Sequence, residues 1–189
     1  LELILLYMFK FCLYLAVLAV AYAQSNLSNN FMAKINVTSH FDNHYINDVG
    51  QIWEDYKDHR NRFDQQLKDG HEIEILQLFD NKTAYMVWDN KKCEHKPDDR
   101  KMEGFWDWVA DAKASGPCWG STSAAGTLYK RVDKDFDAQV CVAADNTTPY
   151  WSDFGVDKDN RRANRNITFT SYTPGVPAAS NFAVPSCCN

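Results

Sequence analysis

Two imidazoles four residues apart are the first residues whose spacing suggests chemistry: on a helix, His40-Phe-Asp-Asn-His44 would place both rings on one side, where they could share a metal ion. No Glu follows the first His and the pattern supplies no third ligand, so the pair reads as surface histidines in a polar loop. Asp153, Asp157 and Asp159, followed by Asn160, offer a second constellation, because oxygen-rich loops are what calcium needs. The run has neither the turn Gly nor the closing Glu of an EF-hand, which makes it first a solvated acidic loop and second a calcium site. Cys93-Glu-His95 matches neither a zinc knuckle nor a nucleophile site, and the Ser-rich Gly120 to Gly126 stretch lacks G-x-S-x-G and reads as a turn. No motif assembles a nucleophile, a base and an orienting group, so no catalytic residue is assigned and the expectation is a protein that is not an enzyme.

Aromatic side chains are the richer resource. The chain holds 6 Trp, 9 Tyr and 11 Phe. Core packing absorbs many of them, but aromatics also line concave pockets for apolar ligands. The residues expected to line such a pocket are Trp53, Tyr56, Phe79, Tyr85, Trp88, Trp106, Trp108, Trp119, Tyr129, Phe136, Trp151 and Phe169.

The compartment is legible at the N-terminus. An apolar run from Tyr7 to Tyr22, broken only by Lys10, ends in Ala21-Tyr22-Ala23 before the polar Gln24-Ser25-Asn26. Small residues closing a short apolar core mark a secretory signal over residues 1–23, too short for a membrane span, leaving one domain over 24–189 and no transmembrane segment. Five N-x-S/T sequons follow, at Asn26, Asn36, Asn81, Asn146 and Asn166, as expected of a secreted, extracellular glycoprotein. Cys93, Cys118, Cys141, Cys187 and Cys188 lie beyond the signal, where disulfides persist. An odd number allows two bridges and a spare, in about 15 arrangements that sequence does not separate. Adjacent Cys187 and Cys188 cannot easily bridge each other, so one is expected to tie the tail to the body, leaving the other free or joined to a second subunit. A net charge of -5 over 189 residues argues against nucleic acid as a partner.

These residues need strands to hold them. Phe31 to Thr38, Gly126 to Val132, Phe136 to Val142 and Ile167 to Tyr172 are rich in β-branched and apolar residues. Ile73 to Phe79 and Ala84 to Trp88 flank a polar Asp80-Asn-Lys-Thr83 turn and read as a hairpin. Ile52 to Leu67 is ambiguous: its stripe and propensity favour a helix, yet Ile52, Glu54, Tyr56 and Asp58 would share one face of a strand. Met102 to Ala114 suggests a short helix or an aromatic-rich loop, and the Pro/Gly-rich Thr173 to Pro185 a tail anchored by the cysteines after it. The class is mainly β, with six to nine strands expected, as a sandwich or open barrel with short helical segments.

Several of these motifs occur in an order that resembles the ependymin-related secreted glycoproteins: Asp55-Tyr56 with Arg60-Asn-Arg62-Phe63, the hairpin Ile75 to Phe79 and Ala84 to Trp88, then Cys93, Cys141 at a strand end, and Val184-Pro-Ser-Cys187. The similarity runs from about Tyr45 to Cys187. It implies two antiparallel sheets curved around a deep hydrophobic pocket, a homo- or heterodimer with a related chain, and a lipid, fatty acid or carotenoid ligand. It also implies N-glycans, bound calcium, a strand at Ile52 to Arg62, and bridges from Cys93 and Cys141 to other cysteines. The resemblance departs at Cys141-Val-Ala, where many members have Cys-Pro-Val, and at the doubled Cys187-Cys188. The function so implied is binding of a long hydrophobic ligand, with a calcium-binding matrix or adhesion glycoprotein as the alternative. N-terminal sequencing of protein secreted from a eukaryotic host should read from Gln24, with cleavage after Ala23.

Overall fold

A computed structural model describes residues 25–41, 44–134, 136–158 and 161–188, so the signal segment 1–23 lies outside the described residues. The runs of β-branched and aromatic residues form eleven strands: β1 Asn30–Phe41, β2 His44–Asp55, β3 Arg60–Gln66, β4 Glu72–Leu78, β5 Thr83–Trp88, β6 Lys92–Pro97, β7 Lys113–Trp119, β8 Ala125–Val132, β9 Phe136–Ala143, β10 Pro149–Lys158 and β11 Arg161–Pro174. All belong to one antiparallel sheet, in the order β6-β5-β4-β3-β2-β1-β11-β10-β9-β8-β7. This corrects the expectation of two sheets and of nine strands at most. Meanders on either side of a central β1 share its ladder, so one continuous sheet forms and β6 and β7 remain as edges.

Ile52 to Leu67 is not a helix. Its chain turns back at Tyr56 to His59 and splits between β2 and β3, with Ile52 opposite Phe63 and Asp55 opposite Arg60. The strand pairing wins because alternation puts Ile52 and Phe63 together against the core, which a helical stripe would have separated. The expected hairpin forms as β4 and β5, and the Ser-rich stretch is the β7–β8 turn, closed by Gly120 N–H to Ala124 O at 2.9 Å.

One face of the sheet, here the inner face, carries Phe31, Ala33, Ile35 and Val37 of β1, Ala138, Val140 and Val142 of β9, and Ile167 of β11, all buried. Among the described residues no second sheet covers it. The crossover from β6 to β7, residues 98–112, lies on it, with Trp106, Trp108 and Val109 buried in the same core and a 3-10 helix at Asp107–Asp111. Edge-to-face contacts of Phe105 with Phe31 (5.4 Å) and Phe154 (6.0 Å), and of Trp108 with Phe154 (5.9 Å), lock the crossover to β1 and β10. Asp111 reaches Arg131 of β8 at 3.5 Å, while Asp107 acts electrostatically on Glu54 of β2. A 3-10 helix advances about 8 Å between those positions. Those two strands lie about 24 Å apart in a flat sheet. Ile52 of β2 and Tyr129 of β8 join one core around the crossover, as in a curved sheet.

Asn29 clamps the crossover: its Nδ2 donates to Asp107 Oδ1 at 2.6 Å and its Oδ1 accepts from Trp106 N–H at 2.7 Å. On the outer face the tail 175–188 packs Phe182 with Trp53 and Leu76. The bridge Cys93–Cys188 fixes that tail to edge strand β6 across 95 residues, a constraint worth about 4 to 5 kcal/mol by chain entropy. The second bridge, Cys118–Cys141, ties β7 to β9 over the intervening β8. It crosses at Gly126, where a Cβ would meet Cys141 Sγ at 3.3 Å and collide with the Val142 carbonyl. Among the described residues Cys187 is the free thiol. Lys92, Lys96 and Pro97 on β6, and Gly116-Pro117 at a register shift on β7, discourage further strands from adding to either edge.

Replacing Trp106 by Ala should lower the free energy of unfolding by about 3 to 5 kcal/mol in denaturant titration. The same change at Trp119, which is 59% exposed, should cost about 0.5 kcal/mol or less.

Candidate functional site

Alternation along the strands carries the inner face past the crossover. Register places Ile52, Phe63, Ile75 and Met86 in line across β2 to β5, with Ile73 and Trp88 beside them. Phe63 still packs against the crossover core. Ile73, Ile75, Met86 and Trp88 are half-buried, and among the described residues they belong to neither hydrophobic core. Trp88 is partly capped by the Lys92 ammonium, 5.1 Å from the ring centroid. An apolar strip on β3 to β5 therefore continues the aromatic core without a protein layer of its own.

Polar groups bound the strip. Toward one end Asp48 is 5% exposed; one carboxylate oxygen accepts from the Gln65 amide and the other has no hydrogen-bond partner. Arg165 lies over Phe63, 5.0 Å from the ring, and feels the Asp48 charge. Toward the other end Glu54 is buried beneath the crossover. Burial first, then the negative charges of Asp107 and Asp55, push its carboxyl up to about 8, so Glu54 is neutral at pH 7. The indole N–H groups of Trp106 and Trp108 are buried without a partner of normal hydrogen-bond geometry. The Trp106 indole nonetheless approaches the Tyr172 hydroxyl and offsets part of the rise that burial imposes on it, to about 12; that hydroxyl donates to Ser28 O at 3.0 Å.

The outer face is charged. Arg62 makes a two-pronged bond to Asp64 at 2.8 Å, meets Glu74 at 3.2 Å, donates to Asn181 O at 3.2 Å and covers Trp53 at 5.2 Å. Burial raises the Glu74 carboxyl above its usual range, assisted by Asp64 and opposed by Arg62. Beside this cluster lies a cleft of about 470 Å3.

The expected pocket residues do not form one site. Trp106, Trp108, Tyr129, Phe136 and Phe169 share the inner face, but there they fill the concavity as a plug. Trp88 is on the same face in the open strip. Trp53 and Tyr85 point outward under the tail. Trp151 donates its N–H to Trp119 O at 3.1 Å in a separate outer contact. Tyr56 sits in the β2–β3 turn, edge-on to His59, and Phe79 begins the β4–β5 turn. Phe31, Phe63, Phe105, Phe154, Tyr172 and the buried Glu54 were missed. A strand alternation extended across β1, β10 and β11 would have placed Phe31, Phe154 and Tyr172, but nothing local marked Glu54.

Asp153 and Asp157 stand within strand β10 rather than a loop, and Asp153 accepts from Gln139 at 3.2 Å. The Asp157 side chain and Asp159 lie outside the described residues. Among the described residues no group of three or more His, Cys, Asp or Glu is arranged to hold a metal ion. His40 and His44 fall on adjacent strands β1 and β2 rather than in a loop. Of the sequons, Asn81 lies in the β4–β5 turn, Asn146 in the β9–β10 turn with φ 59°, Asn26 before β1, and Asn36 and Asn166 on strands. Among the described residues no helix is long and apolar enough to cross a membrane.

No protein-family model matches the sequence, and no curated protein is detectably similar to it. Solved structures resemble the chain to differing degrees. An uncharacterized conserved protein from Thermus thermophilus superposes with a TM-score of 0.54 at 8% identity, over 85% of this chain and 88% of its own. MucB matches at 0.46 and 14% identity, over 88% of this chain and 60% of MucB. A DUF1329 family protein from Desulfovibrio piger matches at 0.30 and 11% identity, over 88% of this chain and 94% of its own. The first likeness is one of fold alone, and the other two are too weak to argue from.

Glu54 makes stability depend on pH. Between the ordinary value of 4.5 and about 8 the folded chain keeps a proton that the unfolded chain releases. Its contribution is complete below that window and is lost as pH rises through it, at up to about 1.4 kcal/mol per pH unit. Denaturant midpoints from pH 5 to 9 should fall accordingly in the native chain and flatten in Glu54→Gln.

Proposed function

We propose that this chain is a secreted, glycosylated, non-enzymatic carrier of the ependymin-related kind, which seats a long apolar ligand on the open part of its inner face. The observation that carries the reading is the strip of Ile73, Ile75, Met86 and Trp88, half-buried and outside both cores, next to Phe63 and the aromatic plug. A long acyl chain or a carotenoid-like polyene laid along it would bury these side chains at a gain of about 1 kcal/mol each. Met86 adapts its shape to such a ligand, and Trp88 offers a flat ring to a conjugated one. Asp48 and Arg165 at one end suit the polar head of an amphipathic molecule.

Disulfides fit an oxidising compartment, as secretion requires. A second copy, or a related chain, would complete the enclosure by placing another open strip over the ligand. Pairing through the faces is favoured over pairing through the edges, which carry Lys92, Lys96, Pro97 and Pro117.

A fluorescent fatty acid should bind the purified full chain and be displaced by unlabelled fatty acid or by a polyene. Trp88→Ala and Ile75→Ser should each weaken binding by about tenfold, whereas Val132→Ser, at a 64% exposed position, should leave it unchanged. Colourless, lipid-free protein from the native source, combined with no uptake of the probe, would sink the proposal.

A further inference from the structure

The cleft on the outer face has a different chemistry from the inner strip, and its lining includes Asn36. Asn36 is exposed on the central strand β1 and is the acceptor of the sequon Asn36-Val-Thr38. We propose that this cleft is the docking site of the chain's own N-glycan, carried on Asn36. The inference rests on the glycoprotein half of the proposed function and is independent of the apolar ligand.

The attachment point decides where the first sugars go. Side chains stand roughly perpendicular to a sheet. A sugar linked to the Asn36 amide nitrogen therefore begins on the outer face, at the rim of a cleft that extends over β2 to β4. At about 470 Å3 the cleft falls in the range of small-ligand sites. Its lining matches a saccharide better than an ion or a lipid. Gln51 and Gln66 each offer an amide donor and acceptor, the pairing that sugar hydroxyls and N-acetyl groups use.

Arg62 would otherwise attract an anion, but its guanidinium is already committed to Asp64 at 2.8 Å and to Glu74 at 3.2 Å. Lys34 is the other cation of the lining, and Asp64, Glu72 and Glu74 outweigh it against an anion. Val49 is 50% exposed and gives an acetyl methyl or the C–H face of a ring an apolar surface. A protein ligand of the same polarity would have to arrive from outside, whereas this glycan is tethered beside the cleft at high effective concentration.

The test uses the full chain secreted from an animal-cell host. Glycopeptide mass spectrometry should find Asn36 occupied. A peptide-N-glycosidase should release that glycan from the folded protein at least about tenfold more slowly than from the reduced and denatured chain. In the Gln51→Ala/Gln66→Ala double variant, with circular dichroism and both disulfides retained, release from the folded protein should accelerate by most of that factor. A second readout needs no variant: in isotope-labelled glycoprotein the Asn36 core sugars should show the broad lines of the whole molecule rather than the sharp lines of a free glycan. An unoccupied Asn36, release from the folded chain as fast as from the denatured one, or sharp core-sugar lines would each overturn the proposal. So would slow release that the double variant leaves unchanged. None of these results touches the fatty-acid measurement, so the two readings fail separately.

Discussion

Among the described residues an open sheet of eleven strands has one apolar face and no second sheet to bury it against, and the rest of the fold follows from how that face is covered. The crossover 98–112 supplies most of the cover. It leaves edge strand β6, crosses the inner face and enters the opposite edge β7, so the link that topology requires is also the missing layer. Large rings suit this role, because Phe105, Trp106 and Trp108 fill volume with few residues: Phe105 and Trp108 meet Phe31 and Phe154 edge to face, and Trp106 meets Phe105 in the same way. Their packing curls the sheet, and the curl in turn brings β2 and β8 within reach of the same short segment.

A segment of this length cannot cover eleven strands. It covers β1, β2 and the strands from β8 to β11 and reaches Phe63 of β3, while Ile73, Ile75, Met86 and Trp88 leave β4 and β5 an apolar inner face outside that core. The functional candidate is thus a remainder of the same constraint, not a separately built pocket. The outer face is handled differently. There the tail packs Phe182 against Trp53 and Leu76, and Arg60 and Arg62 cover the Phe182 and Trp53 rings at 4.5 Å and 5.2 Å. The bridge to Cys93 keeps this otherwise irregular tail in place and at the same time pins the edge strand that starts the crossover.

Burial also explains where charge sits. Glu54 and Asp55 are adjacent in β2 and both buried, but alternation sends them to opposite faces. Asp55 meets Arg60 at 2.7 Å, whereas Glu54 faces the crossover, where burial and, after it, the charge of Asp107 make it hold a proton instead. One residue of register separates an ion pair from a neutral acid.

Much of the strand content was legible in the sequence because alternation and β-branched composition are local properties. The half-buried strand at Phe136 to Val142, the hairpin around Asn81 and the turn at Gly120 to Ala124 all stand where their residues indicated. Cysteine count and adjacency similarly implied a tail tied to the body with one thiol left over, which is the arrangement of Cys93–Cys188 and free Cys187. The number of sheets was not legible, since it depends on whether two meanders share the central β1 ladder, a pairing between residues more than a hundred positions apart. Nor was the role of the aromatics. Trp53, Trp88 and Trp106 look alike in sequence, yet register turns the first outward, leaves the second in an open strip and buries the third as the plug. Residue type by itself determined that these rings would seek burial; only the tertiary structure decided which face each would use and which apolar surface would be left uncovered, because that depends on long-range pairing and on the path of the crossover.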